Sequence, residues 1–344
     1  MVNRTKKITV GLVGVGYWGS NYLRVLGSLA EVQLKYVCDI DKTRLVSGNS
    51  GTEGAHLTHD IETLLEDENL QAVVIATPAS THYDIVRMML KSGKNVLVEK
   101  PLTMDYVQAK ELCRLSRKVN LALMVGHVYC FNPAMRYIKR LVESGQLGDL
   151  YYGIGLRLGL GPIRSDASCT WDLATHDISA LDFVLGQMPN QVSARAATFL
   201  QTKDNIYDYG NIELKYESGF RFGLMVSWYA AEKTRTWYLM GSRRMLRFDD
   251  MMKDAPLIIY NKGLASSQRG GELNPALSFA PRQGNAITPH IEVVEPLTAQ
   301  VRHFIECVRT GKSPLTDCEQ GSRVVRILEA VENSSRGSGS PVKP

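Results

Sequence analysis

Short, unbroken apolar runs alternate with amphipathic stretches through the first third of the chain. Residues 8–13, 32–38, 72–76, 96–98 and 121–125 are rich in Val, Ile, Leu and Ala. That is the pattern of strands buried on both faces. Between them, 20–29, 60–65, 83–91 and 106–118 carry apolar positions at helical spacing. Strand alternating with helix predicts an α/β domain built on a doubly wound parallel sheet. After Gly186 the texture changes to two-residue alternation broken by turn residues. Residues 192–200, 209–216, 221–228 and 235–240 predict an open, mostly antiparallel sheet in a second, α+β domain, and a further strand is predicted near 151–158. Helices are predicted at 134–143 and from Trp171 onward. Those at 296–309 and 318–333 can pack back on the first domain. The stretch 262–283, rich in Gly, Ser, Gln and Arg, reads as a mobile loop. The expected division is a Rossmann domain over 1–126, a substrate-binding and oligomerisation domain over 127–333, and a flexible tail over 334–344.

The first predicted strand runs directly into Gly14-Val15-Gly16-Tyr17-Trp18-Gly19, with a helix after it. In that context G-x-G-x-x-G is a dinucleotide fingerprint. Its glycines permit the tight turn, the approach of a pyrophosphate and close helix–strand packing, and the anion lies at the helix N-terminus. Asp39 closes the second strand, 20 residues beyond Gly19, where an acid meets the adenosine ribose hydroxyls. A carboxylate there repels a 2′-phosphate, which favours NAD over NADP. Further on, Val96-Leu97-Val98 runs into Glu99-Lys100-Pro101. Ligands of open α/β sheets bind beyond the carboxyl ends of the strands, so Lys100 is placed where substrate meets cofactor.

Composition narrows the function classes. In 344 residues, 44% are apolar and 22% charged, with a formal net charge of +5. That mild bias suits anionic small molecules and lacks the clustered basic face of a nucleic-acid binder. The six cysteines show no C-x-x-C pair, so free thiols and no metal site are expected. No apolar run is long enough for a signal peptide or a membrane span. A cytoplasmic protein without membrane partners is the expectation.

Gly14 to Gly19, Thr77-Pro78 with His82, and Glu99-Lys100-Pro101 together resemble the glucose–fructose oxidoreductase / inositol dehydrogenase / rhizopine-catabolism (Gfo/Idh/MocA) family of NAD(P)-dependent oxidoreductases. The resemblance implies that Lys100 is catalytic. It implies cofactor contacts from Gly14, Gly16, Tyr17, Trp18, Gly19, Asp39, Thr77, Pro78, His82, Glu99 and Lys100, although His82 equally suits a helix cap. Asp172 and His176, four apart near a helix start, share a face and match the family's catalytic helix. His176 is then the general base and Asp172 its orienting partner. Arg157 and Arg164, on the stretch leading to that helix, suit a substrate phosphate or carboxylate, with a surface salt bridge as the alternative. Cys130 stands where many members have Arg, and Ala167-Ser168-Cys169-Thr170 replaces the usual Gly-rich run.

The expected activity is NAD-dependent hydride transfer at a secondary alcohol or ketone of a sugar. The loop and helix look most like members acting on UDP-N-acetylglucosamine, or its uronate, at C3. An inositol or free-sugar dehydrogenase is the enzymatic alternative, and a non-catalytic NAD-binding regulator is the other. Trp228, Trp237 and Tyr238 are expected on an outer sheet face that, in the family, pairs subunits into homodimers or homotetramers. Core packing is the competing role.

Overall fold

A computed structural model describes residues 6–45, 51–202, 206–266 and 279–344. The chain divides into two units: Met1–Asn132 with Val294–Glu329, and Pro133–Val293 with Ala330–Pro344.

In the first unit, β1 (Ile8–Val13), β2 (Val32–Cys38), β3 (His56–Thr58), β4 (Ala72–Ile75), β5 (Asn95–Val98) and β6 (Leu123–Val125) form one sheet. Its order is β3-β2-β1-β4-β5-β6, parallel at every pairing. Every residue of β4 is buried, as are Val96, Leu97 and Val98. The alternating helices are α1 (Tyr17–Ser28), α2 (Glu62–Glu66), α3 (His82–Lys91) and α4 (Tyr106–Val119). Each has a local reason for its bounds. In α4, Asp105 caps the start by accepting from the Gln108 N–H at 2.8 Å. Asn120, left-handed at φ 53°, ends it. The strand order reverses between β1 and β4, the switch point at which such sheets bind ligands.

The second unit begins with α5 (Pro133–Glu143), β7 (Leu150–Leu158), α6 (Cys169–Asp172) and α7 (Ala174–Leu185). It continues with β8 (Gln191–Ala197), β9 (Tyr209–Lys215), β10 (Arg221–Ser227), β11 (Thr234–Gly241), β12 (Met245–Asp249) and β13 (Leu257–Tyr260). β14 (Gly263–Ser266), β15 (Phe279–Arg282) and β16 (Ala286–Ile287) complete its strands. The large sheet runs β16-β13-β12-β11-β7-β10-β9-β8. It is antiparallel except for β7 with β10. Two helices follow, α8 (Pro296–Thr310) and α9 (Cys318–Arg336).

Four expectations are corrected. α8 and the start of α9 belong to the first unit rather than the second domain. The α8 side chains Leu297, Val301, Phe304 and Ile305 are buried, and Thr316 exchanges backbone and hydroxyl bonds with Val125 of β6. The tail is tied down: Val342 pairs with Val192 through two bonds of 2.8 Å, and Ser334 Oγ bonds the Ala194 N–H at 2.8 Å. Residues 263–266 and 279–282, expected within a mobile loop, pair as β14 and β15; residues 267–278 of that loop lie outside the described residues. Trp228 and Trp237 are buried, and only Tyr238 of the three expected outer aromatics is exposed, at 38%. Trp237 and Tyr238 are neighbours on one strand and must face opposite ways.

Candidate active site

The glycine turn fits a dinucleotide. Gly14 has φ +91°, and a Cβ there would meet the Ala76 carbonyl oxygen at 2.7 Å. A Cβ on Gly19 would meet the Gly14 carbonyl oxygen at 2.0 Å, so strand and helix approach as closely as backbone allows. At Gly16 the nearest atom to a Cβ is Arg44 Nη1 at 3.6 Å, which leaves the turn open. α1 starts at Tyr17 with no side-chain cap and no acid in its first turn. Its first N–H groups suit an anion. Tyr17 is exposed and Trp18 half-buried beside it, the rings edge to face at 6.1 Å.

Asp39 is buried and held by backbone. The Val15 N–H donates to Oδ2 at 2.7 Å and the Asp41 N–H to Oδ1 at 2.9 Å. Each oxygen keeps a lone pair for a ribose hydroxyl. Arg44 Nη1 lies 3.8 Å from Oδ2, a cation that the sequence reading missed. The Asp41 cap of its turn, where Oδ1 accepts from the Thr43 N–H at 3.0 Å, was the available signal.

At the ends of β4 and β5 the structure corrects one assignment. The His82 ring is 1% exposed. Its Nδ1 is 2.7 Å from the Pro101 carbonyl oxygen and its Nε2 3.1 Å from that of Thr77. His82 therefore ties the Thr77-Pro78 turn to the Lys100-Pro101 turn instead of lining a cofactor surface. Thr77 Oγ1 is 2.7 Å from Thr81 Oγ1, and the Lys100–Pro101 peptide bond is cis.

Glu99 is buried on a mount that sequence reading did not find. Tyr22 of α1 donates its hydroxyl to Oε1 at 2.7 Å, and Gln300 of α8 donates to that hydroxyl at 2.8 Å. The Lys100 N–H donates to Oε2 at 3.1 Å. Burial, then the Glu99 charge, holds the Tyr22 phenol well above its usual range. A Cβ on Gly126 would lie 3.0 Å from Glu99 Oε1, so a side chain at the next strand end would press on the Glu99 carboxylate. Lys100, half-buried, is thus fixed at its backbone.

The second unit carries the other candidates. Arg164 makes a two-pronged pair with Asp166, at 2.8 and 2.6 Å, and its Nη1 is 3.8 Å from Asp172 Oδ1. Asp172 Oδ2 also accepts from the Trp228 indole at 3.2 Å. Leu173 interrupts the helix, so Asp172 ends α6 while His176, half-buried, lies in the first turn of α7. Arg157 is corrected: it is neither a substrate ligand nor a surface bridge. It is 4% exposed, and its Nε donates to Asp177 Oδ2, with Nη2 3.3 Å from Oδ1. Trp237 Nε1 donates to the same carboxylate at 2.7 Å. Freeing that guanidinium would strand a buried charge.

All six cysteines are free and buried. Among the described residues, Cys113, Cys318 and Glu319 bring potential ligand atoms within 4.8 Å. Glu319 is already paired with Lys110 at 2.8 Å and Arg117 at 2.6 Å, and the Cys113 thiol is pushed up by its hydrogen bond with the Cys318 thiol and by burial. No described helix is long and apolar enough to cross a membrane.

Comparison with known proteins agrees with this fold. Residues 8–127 match the oxidoreductase family with an NAD-binding Rossmann fold, and residues 135–247 match the GFO/IDH/MocA C-terminal domain. The chain is 24% identical to the uncharacterized oxidoreductase YrbE of Bacillus subtilis, over 62% of this chain and 65% of that protein. It is 24% identical to scyllo-inositol 2-dehydrogenase (NAD(+)) of the same organism, over 100% of this chain and 97% of that protein. Among solved structures, UDP-N-acetylglucosamine 3-dehydrogenase GnnA from Acidithiobacillus ferrooxidans superposes with a TM-score of 0.79 at 21% identity, over 97% of this chain and 99% of that one. With the glycine turn, Asp39 and the Glu99-Lys100-Pro101 strand end in one Rossmann unit, the chain belongs to the Gfo/Idh/MocA family of NAD-binding oxidoreductases.

Proposed function

We propose that this protein is an NAD-dependent dehydrogenase acting on a secondary alcohol of a sugar, with a nucleotide sugar such as UDP-N-acetylglucosamine or its uronate, oxidised at C3, as substrate. One observation carries the reading: Lys100 leaves β5 from an N–H bonded to a buried carboxylate, on the sheet edge where the glycine turn of β1 opens. When bound, the nicotinamide supplies the hydride acceptor. The Lys100 ammonium donates a hydrogen bond to the alcohol oxygen and stabilises the negative charge that grows there as the hydroxyl proton leaves, the charge that then expels the hydride. His176 takes the hydroxyl proton during oxidation and returns it during reduction. Asp172 orients His176 or holds a neighbouring hydroxyl. Arg164 meets the substrate's anionic group by exchanging Asp166 for it.

The nucleotide-sugar class is supported by the likeness to GnnA and by the Arg164–Asp166–Asp172 group. A cyclitol substrate is the second reading, favoured by the full-length match to scyllo-inositol 2-dehydrogenase. NADH formation with UDP-sugars, inositols and free aldoses tests both. Turnover confined to UDP-sugars supports the first, and turnover on inositols transfers the assignment to the second. Lys100→Met is expected to keep NAD(H) binding and lose turnover by about 10²- to 10⁴-fold. Retained turnover would leave a dinucleotide binder without the assigned chemistry. A second copy of the chain is the proposed cover for the sheet face bearing Tyr152, Ile154 and Tyr238, all exposed, with Ile154 and Tyr238 paired across β7 and β11. The proposed compartment is the cytoplasm.

A further inference from the structure

His127 stands beside the Lys100 strand end without a part in the chemistry above. β5 and β6 pair in register at Val98 and Val125, and the Gly126 N–H donates to the Val98 carbonyl at 2.7 Å. Lys100 and His127 therefore each lie two residues beyond a paired position, at the same level of neighbouring strands. The His127 ring is buried. Its Nδ1 is 2.6 Å from Gln320 Oε1 of α9, and the Gln320 amide nitrogen faces Cys130 Sγ at 3.8 Å. A carbonyl oxygen only accepts, so the ring proton is on Nδ1. Nε2 is then a lone pair, and it is buried with no hydrogen-bond partner. Burial pushes the imidazole down to about 4, with the Lys100 charge acting in the same direction, so the ring is neutral at pH 7. A buried acceptor without a donor is costly, and an ammonium carries three donors on a flexible stem.

We propose that His127 is a positioning residue for Lys100: its Nε2 accepts one ammonium hydrogen bond in the working enzyme and so aims the remaining N–H groups at the substrate oxygen. Gln320 fixes the tautomer that makes this possible. The inference rests on Lys100 being the catalytic lysine.

The test compares His127→Phe, His127→Gln and Lys100→Met as full-length proteins. His127→Phe keeps the ring shape and loses the acceptor. It is expected to lower kcat by about 10- to 100-fold, with KM and NAD(H) affinity changed less than about threefold. His127→Gln restores an acceptor oxygen and is expected to recover most of the loss, which a purely structural role would not predict. In ¹⁵N-histidine-labelled protein, the His127 Nε2 resonance, identified by its disappearance in His127→Gln, is expected at the unprotonated position and to move in Lys100→Met. That readout decides the matter even if His127→Phe fails to fold. Wild-type turnover in folded His127→Phe, or an Nε2 resonance indifferent to Lys100→Met, overturns the inference. Turnover retained by Lys100→Met instead refutes the assignment of Lys100, a separate result.

Discussion

Glu99 in the first unit and Asp177 in the second are both buried acids that accept a hydrogen bond from an aromatic ring. Asp177 takes the Trp237 indole together with the Arg157 guanidinium. Glu99 takes the Tyr22 phenol and the Lys100 amide. Asp177 faces an opposite charge directly, while Glu99 accepts from a phenol and a backbone amide and acts on its neighbours, the raised Tyr22 phenol among them. The first arrangement fastens α7 to its sheet. The second leaves a field at the strand end where Lys100 begins, so similar surroundings serve cohesion in one unit and aim in the other.

Breaking each acid's support separates the two roles. Asp177→Ala takes the carboxylate away from the buried Arg157 charge, and is expected to destabilise by about 3–5 kcal/mol in denaturant unfolding. An effect under about 1 kcal/mol would remove the contrast. Next in size is a pH effect beside Glu99. The unfolded chain binds a proton on His127 near pH 6.5, and the folded chain refuses it until about 4. Stability contributed by the neutral ring is present above that window and is lost as pH falls through it, by about 3 kcal/mol in all. His127→Phe is expected to flatten that part of the stability–pH curve, and parallel curves would refute the account. Tyr22→Phe removes one bond to a charged acceptor, with an expected cost of about 1.5–3 kcal/mol. Unlike Asp177→Ala, it should also lower kcat. The smallest effect concerns the cofactor. Asp39→Ser is expected to weaken NAD(H) by about tenfold, one lost hydrogen-bond pair, and, with Arg44 close by, to admit NADP(H). Equal wild-type affinity for both cofactors in fluorescence titration would end the ribose assignment.

What was legible in the sequence is what is local. The run from Ile8 through Gly19 and the run from Val96 to Pro101 state strand, stop and turn within a dozen residues, and both lie at carboxyl edges of the sheet. The Glu99 mount was not legible, because Tyr22, Glu99 and Gln300 come from three distant stretches and each reads alone as an ordinary core or helix residue. Arg157 misled for a related reason. A charged residue at an alternating strand position reads as outward, and only the partner on α7 reverses it. The tryptophans were decipherable in retrospect. Phe222, Leu224, Val226 and Trp228 keep a two-residue period, and all four are buried. The break at Leu173 between Asp172 and His176 had no composition signal, since leucine favours helix.

The division of the chain has a consequence for its synthesis. The first unit is closed by Val294–Glu329, and residues 133–293 intervene. At about 5–20 residues per second, roughly 10 to 30 s separate emergence of the sixth parallel strand from emergence of the helix bearing Gln300. Through that interval the nascent sheet exists without its final cover, with the Tyr22 hydroxyl still waiting for its second partner. The dinucleotide fold of this protein is begun on the ribosome before residues 133–293 are made and finished only after them.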